Sequence, residues 1–516
     1  MSVNEMKQQN ENGAAISILR FPDCVRQRVG MYLSNKEHAI FEIIDNSIDE
    51  YLAGYATTIT VNINNNEITV SDNGRGIPIE KHSDPEYEGL TQLEVAATVL
   101  HAGGKFNDED SYKTITTGLN GVGLSCVNAT SSEMTISVIK NHKKYQADFA
   151  KGLIIKNLYY VEDSEENNKT IITFKLDPEV WGEDLSLDLK KINKRLQQLC
   201  FLNPNLKIEF NYNIESTEEQ GSYSYCYKEG LRDYLNKLSS SKTCIVKEVT
   251  ASKTLNDTII DLAFVYTDSF NSETLSFCNN INTEDGGDHL IGFRSGLLKA
   301  INSYAIENKY IKEDNAFEQN DVLEGICSII SIKVKEPKFI SQAKNKINMR
   351  EIRSIITNYV KDVVTEYFDQ YPEEAKTIIN KNINAFNARK AAAKARESVR
   401  KNKDVIEGST VGKLADCSSK DPEQCEIFLV EGDSAAGSAK SARDSKYQAI
   451  LPVFGKILNV EKARLNKVLE SEKLLDLLRS LRCGIGEDFD INKLKYHKII
   501  LMSDADEHDV PLCRNV

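Results

Sequence analysis

The chain has 516 residues, a net charge of −13, 41% hydrophobic and 27% charged residues, and eleven cysteines. Such values suit a globular chain of about three domains, and the acidic balance argues against nonspecific coating of nucleic acid, so any such contact must be local. The cysteines include no Cys-x-x-Cys pair, which predicts reduced, mostly buried thiols rather than a zinc ribbon or a disulfide framework, and without an uncharged apolar run of bilayer length the chain is expected in the cytoplasm, with no membrane partner.

Three α/β units are expected, at 1–222, 223–402 and 403–516, with polar boundaries at Glu215–Ser222 and Asn402–Ser409. In the first, Phe41–Glu50 (FEIIDNSIDE) is predicted helical. At about 100° per residue Asn46 and Asp49 fall within about 40° of Glu42, while Ile40, Ile44, Ile48 and Tyr51 lie opposite, so one face is core and the other carboxylate and amide. Thr57–Ile63 and Glu67–Asp72 alternate apolar and polar residues around Asn64-Asn65-Asn66 and are predicted to form a hairpin. Ile68, Val70 and Asp72 share a parity, which sends a carboxylate inward, where it needs a dedicated donor such as an adenine amino group. In the following DNGRGIP, Gly74 and Gly76 allow a sharp turn and close approach to a flat ligand. HAGGKF (His101–Phe106) and TGLNGVG (Thr117–Gly123) supply two further glycine-rich loops. Their exposed amides can cradle phosphates, Lys105 adds charge, and a helix is expected at Leu124–Ala129.

Farther along, Arg389–Lys403 carries seven positive residues and one negative. It is predicted to be a basic helix with little apolar face, either a solvated connector or a DNA-facing helix where phosphate contacts concentrate. In the third unit Glu431-Gly432-Asp433-Ser434 forms a loop, and Asp504 and Asp506 follow the apolar strand Ile499–Met502.

FEIIDNSIDE, DNGRGIP, GGKF and GLNGVG, in this order, resemble the GHKL (Bergerat) ATPase domain shared by DNA gyrase B, topoisomerase IV, Hsp90, MutL and the histidine kinases. The resemblance narrows to the B-type ATPase subunits of gyrase and topoisomerase IV through GMY at Gly30–Tyr32, RLQQLCFLN at Arg195–Asn203, NNINTEDGGDHLIGFR at Asn279–Arg294, EPKFISQAKNKI at Glu336–Ile347, EGDSAAGSAK at Glu431–Lys440 and ILPVFGKILNVEKAR at Ile450–Arg464. It implies an α/β multidomain chain: a GHKL α/β sandwich, a ribosomal-S5-like transducer and a partial Toprim domain. ATP and Mg²⁺ are the implied cofactors. Glu42 is then the general base for the attacking water, Asn46 holds Mg²⁺ against the triphosphate, Asp72 reads the adenine, and Thr170 and Tyr112 belong to the adenine pocket. Glu50, Gly74, Arg75, Gly76, Ile77, Pro78, Gly104, Lys105, Gly118, Leu119, Asn120, Gly121, Val122 and Gly123 complete the nucleotide site. Gln342 and Lys344 match catalytic residues that reach from the transducer to the γ-phosphate, and Glu431, Asp504 and Asp506 match the Toprim Mg²⁺ cluster, whose oxygen ligands suit a hard divalent ion.

The implied mechanism is ATP-driven dimerisation that closes a gate on double-stranded DNA and reopens on hydrolysis. A separate A-type subunit supplies the cleavage tyrosine, since no tyrosine here resembles it. The alternative is an ATP-dependent dimerising clamp that binds DNA or protein without cleaving it. Thr117, Asn120 and Lys169 depart from the ATP-loop pattern, and His508, within the closing EHDVPLCRNV, stands where a third Toprim aspartate is expected. For that metal site the resemblance leaves completion by a further chain, truncation, or degeneration.

Overall fold

The computed structural model describes residues 18–103, 118, 121–341, 344–401, 413–453, 471–483 and 489–502, with the backbone alone for 394–401 and 472. Helix α1 (Asp23–Arg26) leads to α2 (Lys36–Leu52), which begins where the Asn35 side chain accepts the His38 N–H. Ile40, Ile43, Ile44 and Ile48 of α2 are fully buried, each burial worth about 1.5–3 kcal/mol. The expected hairpin forms from β1 (Thr58–Asn64) and β2 (Glu67–Asp72), in register from Ile59 opposite Asp72 to Asn64 opposite Glu67. Then come α3 (Gln92–Thr98), α4 (Gly123–Ala129), β3 (Ser131–Lys140), β4 (Lys143–Ala150), β5 (Leu153–Asp163), β6 (Asn168–Leu176), α5 (Pro178–Trp181), α6 (Leu189–Leu202), β7 (Lys207–Ile214) and β8 (Glu219–Tyr225). The eight strands make one sheet in the order β5-β4-β3-β6-β2-β1-β7-β8. Apolar residues of α2, α4 and α6 share one continuous core with it, giving an α/β sandwich. This sheet runs through Tyr225, past the boundary expected at 222. The polar stretch Glu215–Ser222 is the turn and start of a solvated edge hairpin, which explains its composition.

The second unit contains α7 (Leu231–Ser239), β9 (Val249–Leu255), β10 (Thr258–Tyr266), β11 (Glu273–Cys278), β12 (Ile281–Asn282), α8 (Asp288–Glu307), α9 (Gln319–Leu323), β13 (Ile326–Lys333), α10 (Arg350–Gln370) and α11 (Pro372–Lys401). Its sheet order is β12-β11-β13-β10-β9, and every residue of the central strand β13 is buried. An apolar seam of Phe201, Leu202, Tyr234, Leu235, Ala263 and Phe277 joins this unit to α6.

The basic stretch from Arg389 is not a separate connector. It continues α11, and its first residues are bound within the second unit: Arg389 pairs with both oxygens of Asp321 at 2.9 and 2.9 Å and with Glu318 at 2.7 Å. Lys390 donates to Asn315 Oδ1 at 2.9 Å, and Ala392 is buried. Arg389, half-buried, and Lys390, exposed, are therefore both tied by polar contacts to the second unit.

The third unit has β14 (Glu426–Glu431), α12 (Gly432–Ala442), β15 (Gln448–Val453), α13 (Glu472–Leu481) and β16 (Lys498–Met502), with β14 central and parallel to both neighbours. Among the described residues ten cysteines are free, and seven of these are buried. No described helix is long and apolar enough to cross a membrane.

Candidate functional site

Strand β2 ends on the residue that matters most. The alternation of Ile68, Val70 and Asp72 carries all three inward, and Asp72 is buried as expected. Its Oδ2 accepts the Ser47 hydroxyl at 2.8 Å and its Oδ1 the Gly74 N–H at 2.9 Å. Burial pushes its carboxyl up to about 6, against those two hydrogen bonds, and the charge of Glu50 adds to the rise. Thr170 lies directly opposite on β6, also buried, so the two side chains share a face.

The loop after Asp72 is closed by ionic contacts. Arg75 gives its backbone N–H and Nε to Glu50 Oε2, both at 3.1 Å, and Nη2 to Oε1 at 2.8 Å. Its guanidinium lies 3.9 Å from the centre of the Tyr55 ring. Gly74 cannot be replaced cheaply, because an added Cβ would stand 2.8 Å from Asp72 Oδ1. Gly76 takes φ +80°, Ile77 packs on the core and Pro78 is exposed.

On α2, Glu42 is partly buried and Asn46, one turn on, is exposed. His38 Nδ1 accepts the Ser34 N–H at 3.1 Å, which assigns the neutral ring's proton to Nε2, 3.2 Å from Glu42 Oε1. Gly123, the first residue of α4, faces the other carboxylate oxygen so closely that a Cβ there would stand 2.3 Å from Glu42 Oε2. Asp49 accepts the Gly118 N–H at 3.4 Å, bringing the second glycine-rich loop to the polar face of α2. Gly121 (φ +59°) and Val122 make the turn into α4. Gly104, Lys105, Tyr112, Leu119, Asn120 and Gln342 lie outside the described residues.

Asp45, one residue before Asn46, faces the second unit. Burial pushes its carboxyl up to about 6; the charge of Arg195 opposes that rise, that of Glu42 adds to it, and that of Lys344 opposes it. Lys344 has φ +56° and donates its N–H to Ser341 O at 3.1 Å; Asn345 holds the loop to Asp285 at 2.5 Å. Arg195 Nη2 lies 3.6 Å from Asp45 Oδ1.

In the third unit Glu431 ends β14 and is the N-cap of α12, so Gly432–Ser434 is the first turn of a helix rather than the expected loop. Its Oε2 is buried with no hydrogen-bond partner among the described residues. β16 runs parallel to β14 with Met502 beside Val430, so the last described residue of β16 pairs one position before Glu431. Asp504 and Asp506 lie outside the described residues, and the described ones alone bring no three His, Cys, Asp or Glu into a metal-holding group.

His38, Ser47, Tyr55, Asp45 and Arg195 join the site without having stood out in the sequence. His38 stands four residues before Glu42, a helical spacing that offers a signal. Ser47 breaks an otherwise apolar face of α2. For Tyr55, Asp45 and Arg195 the partners are distant in sequence or aromatic, and no local pattern marks them.

Comparison with known proteins matches residues 35–180 to the histidine kinase-, DNA gyrase B- and HSP90-like ATPase family, 230–398 to the DNA gyrase B family and 426–508 to the Toprim domain. The DNA gyrase B protein of Campylobacter jejuni is 43% identical over 97% of this chain, which spans 64% of that relative. The DNA gyrase B protein of Thermotoga maritima is 41% identical over 95% of this chain and 78% of its own length. The 43K ATPase domain of Thermus thermophilus gyrase B, solved in complex with an aminocoumarin, superimposes with a TM-score of 0.60 at 32% identity, covering 72% of this chain and 97% of that one. The shared order of nucleotide fold, second unit and metal-domain strands, with identity of this extent, means that the chain belongs to the DNA gyrase B family.

Proposed function

We propose that this chain is the ATP-hydrolysing B-type subunit of a type IIA DNA topoisomerase. The observation that carries the reading is the arrangement on α2: Glu42 oriented by His38 and faced by Gly123, Asn46 exposed one turn on, and the buried Asp72–Thr170 pair at the end of the adjacent strand. Phosphoryl transfer chiefly requires positioning and charge neutralisation, and these groups divide that work. Asp72 accepts a hydrogen bond from the adenine amino group, and the Gly118 and Gly121–Gly123 backbone lies where phosphates pass. Glu42 takes the proton of the attacking water, while the His38 N–H keeps its carboxylate turned toward the site. Asn46 presents an exposed amide oxygen suited to Mg²⁺, which when bound neutralises triphosphate charge. Lys344, held beside α2 by its loop, touches the γ-phosphate together with Gln342. Its release on hydrolysis couples turnover to the second unit.

In the same reading the first unit dimerises on ATP binding, closing a gate on a DNA duplex, and a separate A-type subunit supplies the cleavage tyrosine. Glu431, with Asp504 and Asp506, would hold a further Mg²⁺, which when bound would supply charge neutralisation at a scissile phosphate; the buried Oε2 of Glu431, without a hydrogen-bond partner among the described residues, fits an oxygen ligand. The test is strand passage. The chain mixed with A-type subunits and negatively supercoiled plasmid is expected to change DNA topology only when ATP and the A-type partner are both present. Nucleotide-dependent dimers with no strand passage from any A-type partner would replace this reading with that of a clamp.

A further inference from the structure

Helix α6 is fastened to the second unit at its C-terminal end. Phe201 and Leu202 lie in the apolar seam with Tyr234, Leu235 and Phe277. The buried Lys333 on β13 donates to the Leu202 carbonyl at 3.2 Å and to Asn203 Oδ1 at 3.4 Å, closing the last turn of the helix. Midway along α6, Ile192, Leu196 and Leu199 are buried in the core of the nucleotide unit, but Arg195 turns to the seam. Its Nη1 donates to the Asn280 carbonyl at 2.7 Å while its Nη2 stands 3.6 Å from Asp45 Oδ1. The Asn280 carbonyl is fixed because Asn279 and Asn280 take φ +46° and +66° in the two-residue turn between β11 and β12. The side chains of Arg195 and Asp45 are only 14% and 12% exposed, so removal of either leaves the other charge largely uncompensated.

We propose that Arg195 is the positioning residue that joins the nucleotide helix α2 to the second unit, holding Asp45 on one side and the β11–β12 turn on the other, so that a displacement of α2 on nucleotide binding is passed to the second sheet. The proposal rests on the reading of the first unit as a nucleotide site. Arg195 is a standing joint between two elements already packed in place, which sets it apart from the γ-phosphate contact proposed for Lys344.

Hydrogen exchange of the full chain, with and without a non-hydrolysable ATP analogue, tests this alongside the analogue's Kd and steady-state hydrolysis. In the wild type the analogue is expected to change protection at residues 277–283. Arg195→Met should bind the analogue within about threefold of wild type, lose that distant response, and lower kcat about tenfold or more with KM for ATP little changed. Arg195→Lys should recover part of the response. Asp45→Asn, of the same shape, should reproduce the loss, and the double variant should be no worse than either single one. An undiminished response in Arg195→Met, or losses that add in the double variant, overturns the proposal. If Arg195→Met does not fold, Asp45→Asn carries the same comparison. Failure of the wild type to bind the analogue overturns the nucleotide reading and the joint with it, whereas binding with an intact response in the variants overturns the joint alone.

Discussion

At the scale of single residues, the site depends on carboxylates held where water is scarce. Asp72, pushed up to about 6 by burial, binds more protons in the native than in the unfolded state between the ordinary value of about 3.9 and that point. Its contribution to stability therefore falls as pH rises through this window, and above it the protein keeps an ionised, inward-facing acceptor at that expense. Because adenine needs the ionised form, nucleotide affinity is expected to weaken as pH drops below about 6, by up to about tenfold per unit. Calorimetric titration from pH 5 to 8 of the wild type against Asp72→Asn checks this: the variant should bind weakly with a flatter profile, and identical profiles would remove Asp72 from the adenine. Gly123→Ala should leave the fold intact but displace Glu42, since a Cβ would stand 2.3 Å from its Oε2. Hydrolysis is expected to fall about a hundredfold, measured by phosphate release.

Elements are legible in the sequence where their signals are local. The period of α2 and the alternation of β2 suffice to aim Glu42 and Asp72, because both depend on neighbours a few residues away. Two elements read differently in the structure, where distant contacts decide. β8 has the composition of a polar boundary because an edge hairpin is solvated, and the start of the 389–403 stretch has that of an exposed helix because its carboxylate partners, Glu318 and Asp321, lie about seventy residues upstream. Another tie is only half local, since Thr91 and Glu94 form a capping box whereas the partners from β5 carry no local signal. Glu94 on α3 accepts the Thr91 N–H at 2.6 Å and hydroxyl at 2.8 Å, and Asn157 Nδ2 at 2.9 Å and Leu158 N–H at 2.8 Å from β5. Burial opposes its ionisation, but these bonds outweigh it and hold the carboxyl below its ordinary value. Its stabilisation is then present above the unfolded value of about 4.3 and lost as pH falls through the lower folded value. Glu94→Ala strands several buried donors and is expected to cost about 2–4 kcal/mol in urea unfolding, with little change in nucleotide affinity.

For the whole molecule, family membership rests on motifs spread from Gly30 to Arg464, but the working parts are visible to unequal degrees. The first unit carries Glu42 and Asn46 on α2 and pairs Asp72 of β2 with Thr170 of β6, whereas of the residues proposed to hold metal in the third unit only Glu431 falls among the described residues. Arg195 is visible in the sequence as the start of RLQQLCFLN, but its role is not, because its partners come from α2 and from a turn 85 residues away. Coupling through Lys344 predicts that Lys344→Ala binds nucleotide yet no longer dimerises with it; sedimentation with and without the non-hydrolysable analogue reads this, and unchanged dimerisation would remove the sensing role. The most direct test of the ATPase reading is single-turnover hydrolysis by Glu42→Ala at saturating ATP. The variant is expected to bind nucleotide as tightly as wild type while phosphate release falls by about a thousandfold or more; release at a near-normal rate would contradict the assignment of Glu42 and the mechanism built on it.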